Sequence, residues 1–242
     1  MFVAQTNSTN TLLKELIATG RRVSGDELFF VRAGYQTAGR GQTGNSWESE
    51  ENKNLLCSIL LPPRKNLFEL NVVTSVAVQR LLGEGFTIKW PNDIYWQDKK
   101  VAGILIENAI VGNEVKYSIA GIGLNVNQTE WLSSAPNPIS LKQITGKEYD
   151  IDALMQQLRK EVHKALQEDV WDYYKAQLYR RKGYWPFVER EVDTTPTMNA
   201  SSQTPGAFMA RIVDVLPTGE IVLEDKQGKQ RIYHFKQIRY IL

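Results

Sequence analysis

Two tight turns inside one strand-rich stretch constrain the fold more than any other feature. Between Ile94 and Asn125 the sequence IYWQDKKVAGILIENAIVGNEVKYSIAGIGLN is strand-like, broken by turn signals at Asp98-Lys99 and Gly112-Asn113. Connections this short join antiparallel neighbours, because a parallel crossover needs about a dozen residues or more. An antiparallel meander is therefore expected at the centre of the chain, and a purely parallel doubly wound sheet is not.

The flanking segments supply helices and further strands. Ser8 or Thr9 can cap a helix that carries Leu12, Leu13, Leu16 and Ile17 on one face and ends at Gly20. Apolar runs at 27–33 and 54–61 read as strands, the second stopped by Pro62-Pro63. A helix is expected over 66–85 with Asn66 as its cap, then a strand over 86–90 and a turn at Pro91-Asn92-Asp93. A polar, proline-bearing loop spans 129–140, and one long helix is expected from about Asp152 to Tyr179. From about Gly183 the texture changes. AFMARIVDVL, EIVLED and QRIYHF are short strands separated by PTG and KQGK, which suggests a small β-barrel. The expected organisation is α+β, with a body over 1–184 and a β domain over 185–242.

Charge and cysteine content narrow the function classes. Lys and Arg total 29 against 27 Asp and Glu, so no global field favours nucleic acid or an anionic membrane. The single cysteine, Cys57, lies in LLCSILL and reads as a buried strand thiol, which fits a reducing cytoplasm. The start lacks the basic and apolar regions of a secretory signal, and no apolar run approaches the roughly 20 residues of a membrane helix. A soluble cytoplasmic protein is the expectation. His163 and His234 have no companions at ligand spacing, so no zinc site is expected.

The segment YQTAGRGQTGNSW carries a literal G-x-G-x-x-G at Gly39, Gly41 and Gly44. A dinucleotide site would need a helix opening at the last glycine and an acidic residue about 20 positions later at a strand end. Asn45 to Asn52 is polar without an apolar helical stripe, and the next strand ends in two prolines, so both demands fail. Two readings stay open: an exposed hairpin loop, or an anion cradle in which backbone N–H groups and the Arg40 guanidinium converge on a carboxylate or phosphate. The loop is long and carries Trp47, which suits a lid.

KWPND (89–93) gathers a cation, an aromatic ring and a carboxylate around a proline turn, and Lys100 opens KVAGILIEN. Gly103 inside that strand needs a reason, since glycine weakens strands unless something approaches the backbone closely. GIGLNVN (121–127) repeats the theme and delivers Asn125 to a strand end. Arg40, Lys89 and Lys100 are three cations suited to bringing two anions together, as when a carboxylate attacks a phosphate.

These residues resemble the biotin protein ligase family. YQTAGRGQTGNSW is similar to its glycine-rich loop, KWPNDIYWQDKKVAGILIE to its most diagnostic block, STN (8–10) to its first pocket element, and GIGLNVN followed by PISLKQITG to its later segments. The similarity is clear over about 5–145 and one of pattern beyond. It implies a fold related to class II synthetases and lipoate ligases, with a mixed sheet, helices and a C-terminal SH3-like β-barrel. It implies a two-step reaction: biotin and ATP, with Mg²⁺, give biotinyl-5′-AMP, and the biotinyl group passes to a lysine of a biotin carboxyl carrier domain.

By matching positions, the resemblance gives Ser8, Thr9, Asn10 and Gln36 to the biotin head group. Gly39, Arg40, Gly41 and Gln42 are given to the carboxylate and phosphate, Lys100 to the carboxylate, and Gly103 to the space the ligand needs. Lys89, Asn92 and Asp93 fall at the phosphates, with Mg²⁺ near Asp93; Asn125 and Trp131 fall on the adenosine side. Arg40, Lys89 and Lys100 are the expected catalytic residues. Gln42 stands where many members carry a second arginine. STN arrives at residue 8, so a monofunctional ligase without a DNA-binding domain is expected, as monomer or homodimer. The loop 36–53 is expected to order over biotin or the adenylate. A lipoate or octanoyl ligase or transferase on the related fold, and a non-catalytic nucleic-acid-binding module built on the barrel, remain as rivals.

Overall fold

The computed structural model describes residues 1–20, 28–42, 45–112, 114–133, 137–190 and 206–242 of the 242-residue chain. Gly44, Asn113 and the first residue of the expected 27–33 strand lie outside them. Along the chain come β1 (Phe2–Thr6), α1 (Thr9–Ala18), β2 (Phe29–Gln36), β3 (Leu55–Leu61), α2 (Phe68–Leu82), β4 (Phe86–Lys89), β5 (Asp93–Trp96), β6 (Lys99–Val111) and β7 (Glu114–Leu124). There follow α3 (Leu141–Thr145), α4 (Ile151–Gln167), α5 (Trp171–Ala176), β8 (Trp185–Glu189), β9 (Ala207–Val215), β10 (Ile221–Asp225), β11 (Gln230–Tyr233) and β12 (Ile238–Tyr240).

The first seven strands form one sheet in the order β1-β2-β3-β7-β6-β5-β4. Every pairing in it is antiparallel except β1 with β2, so the expected meander is present and the sheet is mixed. Period-2 alternation divides its two faces. Leu55, Cys57, Ile59 and Leu61 of β3 join Ile104 and Ile122 in a core with the apolar residues of α2 and α4. Leu60, Val31 and Ile119 face the other way and pack against Leu13 and Leu16 of α1. Cys57 is fully buried in the first of these layers, and burial pushes its thiol up to about 12.

Several expectations need correction. The long helix over 152–179 is two helices: α4 ends at Gln167, Glu168 is extended, and α5 restarts at Trp171, whose N–H is accepted by Asp169 Oδ1 at 3.1 Å. Helical spacing of the apolar residues carried the reading across that break. The C-terminal sheet has, among the described residues, five strands rather than three, in the order β11-β10-β9-β8-β12, and its edge strands β11 and β12 are not paired with each other. Among the described residues it is an open antiparallel sheet, and β8 and β12, at five and three residues, are too short to show a clear alternation of their own. β1 was likewise missed. Ser8 occupies the N-cap position of α1 but makes no capping bond with its side chain; Asn66 Oδ1 does accept from Phe68 N–H at 3.0 Å.

The C-terminal sheet is bonded to the main body. Trp90 Nε1 donates to Gly219 O at 3.0 Å, Arg181 Nη1 to Ile212 O at 2.5 Å, and Arg180 Nη1 to Ile241 O at 2.6 Å. Among the described residues no helix is long and apolar enough to cross a membrane.

Candidate active site

The α1 face of the sheet is hollowed by glycines in phase with one another. Gly103 of β6 lies opposite Gly123 of β7, and Gly121 lies between Leu105 of β6 and Ser58 of β3. A side chain on any of these would collide with what lies above. A Cβ at Gly121 would stand 2.5 Å from Asn10 Oδ1, one at Gly103 2.9 Å from the Trp47 ring, and one at Gly123 would overlap the Trp47 indole. A cleft of about 850 Å³ runs over this floor.

At one end, the first turn of α1 presents Ser8, Thr9 and Asn10, all buried and all lining the cleft. Gln36 Oε1 accepts from Thr9 N–H at 2.8 Å and stands 3.1 Å from the Thr9 hydroxyl. Ser58 Oγ is 2.5 Å from Asn10 Oδ1 and 2.7 Å from Thr9 Oγ1. Asn10 Oδ1 can only accept, so the Ser58 hydroxyl donates to it. Asn10 Nδ2 in turn donates to Glu107 Oε2 at 2.7 Å.

Glu107 also takes the charge of the glycine loop. Arg40 Nη1 and Nη2 reach its two carboxylate oxygens at 3.2 and 2.9 Å, and Lys14 Nζ donates at 2.8 Å. Burial raises the Glu107 pKa, but Lys14, Asn10 and Arg40 outweigh it and hold the carboxyl below its ordinary value. Arg40 lines the cleft as expected, yet its fork is bidentate to a residue of this same chain. Sequence reasoning missed both Glu107 and Ser58. Each shares the α1 face with Gly121 by strand phase, which was a usable signal.

The loop folds over the floor as a hairpin. Gly41 N–H donates to Asn45 O at 2.9 Å and Trp47 N–H to Gly39 O at 2.9 Å. Gly39 backs onto the Trp47 carbonyl and, alone among the sequence-derived candidates, does not line the cleft. Gln42 Nε2 donates to Asn92 Oδ1 at 3.3 Å, and Asn92 Nδ2 to Asn71 Oδ1 at 2.7 Å, which ties the loop to α2.

At the other end stand the remaining cations. Lys100 Nζ pairs with Asp93 Oδ1 at 2.8 Å and lies 5.7 Å from the Trp47 ring centroid. Lys89 Nζ donates to the Tyr95 hydroxyl at 3.1 Å and stands 4.8 and 5.3 Å from the Tyr95 and Tyr240 rings. Burial depresses the Lys89 pKa, opposed by Asp93 and reinforced by Lys100 and Arg180. A half-desolvated ammonium with aromatic rather than carboxylate contacts is suited to receive an anion. Asn125 Nδ2 donates to Lys100 O and Ile139 O at 3.3 and 3.2 Å, and Trp131 also lines the cleft. The C-terminal sheet adds Arg190, Lys236, Arg239 and Tyr240 to the wall, which sequence reasoning did not foresee.

Four buried polar atoms of cleft-lining residues have no partner among the described residues: Trp47 Nε1, Asn125 Oδ1, Trp131 Nε1 and the Tyr240 hydroxyl. Unpartnered buried groups of this kind are uncommon in folded proteins. No group of three or more His, Cys, Asp or Glu side chains that could hold a metal occurs among the described residues. A nucleotide-borne Mg²⁺ needs fewer protein ligands than that, since phosphates and water supply most of its oxygens, and the Asp93 carboxylate fits such a part. The cleft can therefore hold a long molecule, polar at one end, apolar in the middle and anionic at the other.

Comparison with known proteins bears on which molecule that is. Residues 2–125 match the sequence profile of the biotin/lipoate A/B protein ligase family. The bifunctional ligase/repressor BirA of Bacillus subtilis is 30% identical over 215 residues, 84% of this chain and 63% of that protein. The biotin–[acetyl-CoA-carboxylase] ligase of Paracoccus denitrificans is 31% identical over 167 residues, 61% of this chain and 65% of it. The chain thus spans slightly less than two thirds of the length of these curated relatives. Among solved structures, the biotin protein ligase from Aquifex aeolicus in complex with biotin and ATP gives a TM-score of 0.75 at 25% identity, covering 100% of this chain and 98% of that one.

Proposed function

Because the chain belongs to the biotin/lipoate A/B protein ligase family, we propose that it activates biotin with ATP and transfers it to a carrier protein. The biotin carboxylate attacks the α-phosphate, forming biotinyl-5′-AMP and releasing pyrophosphate. A lysine amine on a biotin carboxyl carrier domain of a biotin-dependent carboxylase then attacks the acyl carbon, and AMP leaves.

One observation carries this reading: the order of chemistry along β6. Near Glu107 lie the polar groups of Ser8, Thr9, Asn10 and Gln36, suited to a ureido ring with both donors and an acceptor. Near Gly103 lie the glycine floor and Trp47, suited to an apolar thioether ring and alkyl chain. At the far end Lys100 stands by Lys89, whereas Arg40 and Lys14 are paired with Glu107. On this reading the backbone of Arg40, Gly41 and Gln42, with Lys100, faces the carboxylate, while Lys89, Asn92 and Asp93 face the phosphates. Mg²⁺ would join the nucleotide beside Asp93 and share the neutralisation of its charge. Fixed cations ease the approach of one anion to another, and the loop arms that carry Arg40, Gly41, Gln42 and Trp47 keep water from the adenylate. Asn125 and Trp131 are assigned to the adenosine side. Residues 1–184 are the catalytic body, and 185–242 a domain that completes the cleft wall.

The test is ATP–pyrophosphate exchange with biotin, lipoate and octanoate side by side. Exchange should depend on biotin. Exchange driven by lipoate or octanoate and not by biotin would move the assignment to the related acyl ligases.

A further inference from the structure

Glu48 joins two loops that reach the cleft from distant parts of the chain. Its Oε1 accepts from the backbone N–H of Leu132 and its Oε2 from that of Ser133, each at 2.7 Å, and Gln128 Nε2 lies 3.4 Å from Oε1. Burial raises the Glu48 pKa, but these hydrogen bonds outweigh it and keep the carboxylate charged below its usual range. The Leu132 side chain is 93% exposed and so contributes no packing that would fix this backbone. On one side of Glu48 is Trp47, whose indole rests on Gly103 and Gly123. On one side of Leu132 is Trp131, which lines the cleft with its Nε1 buried and, among the described residues, unpartnered. The base of the arrangement is firm: Gln128 Oε1 accepts from Asn54 Nδ2 and Glu50 N–H at 2.5 and 2.9 Å, and Gln128 Nε2 donates to Glu130 O at 2.8 Å.

We propose that Glu48 is a positioning residue that couples two parts of the cleft lining: it ties Trp131 to the seating of Trp47 on the glycine floor. Whatever settles Trp47 then also settles Trp131, and the reverse follows by linkage. The identity of the two ligands rests on the function proposed above; the link between the loops does not. A carboxylate is required because both its oxygens are used. A glutamine keeps one acceptor and an alanine keeps neither.

The test uses the full chain as wild type, Glu48→Gln and Glu48→Ala. Hydrogen exchange at the amides of Leu132 and Ser133 should quicken about tenfold in the alanine variant and less in the glutamine variant, with α4 unchanged. Biotin should tighten binding of α,β-methylene-ATP to the wild type, and that gain should shrink at least about fivefold in Glu48→Ala, while affinity for biotin alone stays within about twofold. Unchanged exchange at Leu132 and Ser133 would overturn the link, and so would a tightening by biotin that survives in Glu48→Ala. Equal losses for biotin and nucleotide would reduce Glu48 to a structural role. If the wild type binds neither ligand, the proposed function fails while the exchange arm still reads the link.

Discussion

Gly121 and Gly123 have ordinary strand backbones, since neither adopts a positive φ; what requires glycine is the atom above each one. Alanine in a strand interior is intrinsically favoured over glycine by about 0.5–1 kcal/mol, so neither backbone objects to it. Gly123→Ala should therefore unseat Trp47, and Gly121→Ala should push Asn10 from Ser58 and Glu107, with the fold retained. Biotin-dependent exchange should fall by about tenfold or more, roughly 1.4 kcal/mol, while the melting temperature stays within a few degrees; loss of folding in both variants would refute this. Glu107 supports a second prediction. Its pKa is below the ordinary 4.5, so its contribution to stability is full above that value and drains as pH falls through the folded-state value. Urea denaturation at pH about 6 and about 3.5 should show a larger acid loss for wild type than for Glu107→Gln. The glutamine variant should also be less stable at pH about 6, by about 1 kcal/mol, because Arg40 and Lys14 are partly exposed.

Among the elements, α3 is short but holds the cleft wall in register. Its Ser140 Oγ accepts from Gln143 N–H at 3.2 Å while Gln143 Oε1 accepts from Ser140 N–H at 3.0 Å, a reciprocal capping box. Leu141 N–H donates to Asn125 O, and Asn125 Nδ2 donates to Ile139 O, so the cap lies one bond from the cleft. Ser140→Ala should cost about 1 kcal/mol, a shift of about 2–4 °C in thermal unfolding, and should weaken nucleotide binding more than biotin binding. The break between α4 and α5 teaches the complementary lesson. Apolar spacing survived across it, but Asp169 offered a local capping acceptor that the periodicity did not weigh.

At the scale of the molecule, the two sheets meet at Lys89. The main sheet gives Tyr95, the C-terminal sheet gives Tyr240, and the ammonium stands against both rings. Trp90, beside it, is bonded to Gly219 and stacks edge-on against Phe235 with centroids 5.9 Å apart. The C-terminal sheet is thus part of the cleft rather than an attachment to it. Tyr240→Leu should raise the KM for ATP by about tenfold with a smaller change in kcat, while Tyr240→Phe, which keeps the ring, should stay within about threefold. Equal behaviour of the two variants would argue against the ring as the operative group.

The antiparallel meander was legible in the residues alone, because its turns are too short for any other connection. So were the two faces of the sheet, because side chains alternate with a period of 2. The sequence also brought Ser8, Thr9, Asn10, Lys89, Asp93, Lys100 and Gly103 into view as one candidate set, and all of these line one cleft. Three features came only with folding: Arg40 held by Glu107, Trp47 on the glycine floor, and β12 reaching Lys89. The cause is separation along the chain. Arg40 and Glu107 are 67 positions apart and Trp90 and Gly219 are 129 apart. Local periodicity carries the turn and the face, whereas such pairings exist only once packing has brought the strands together.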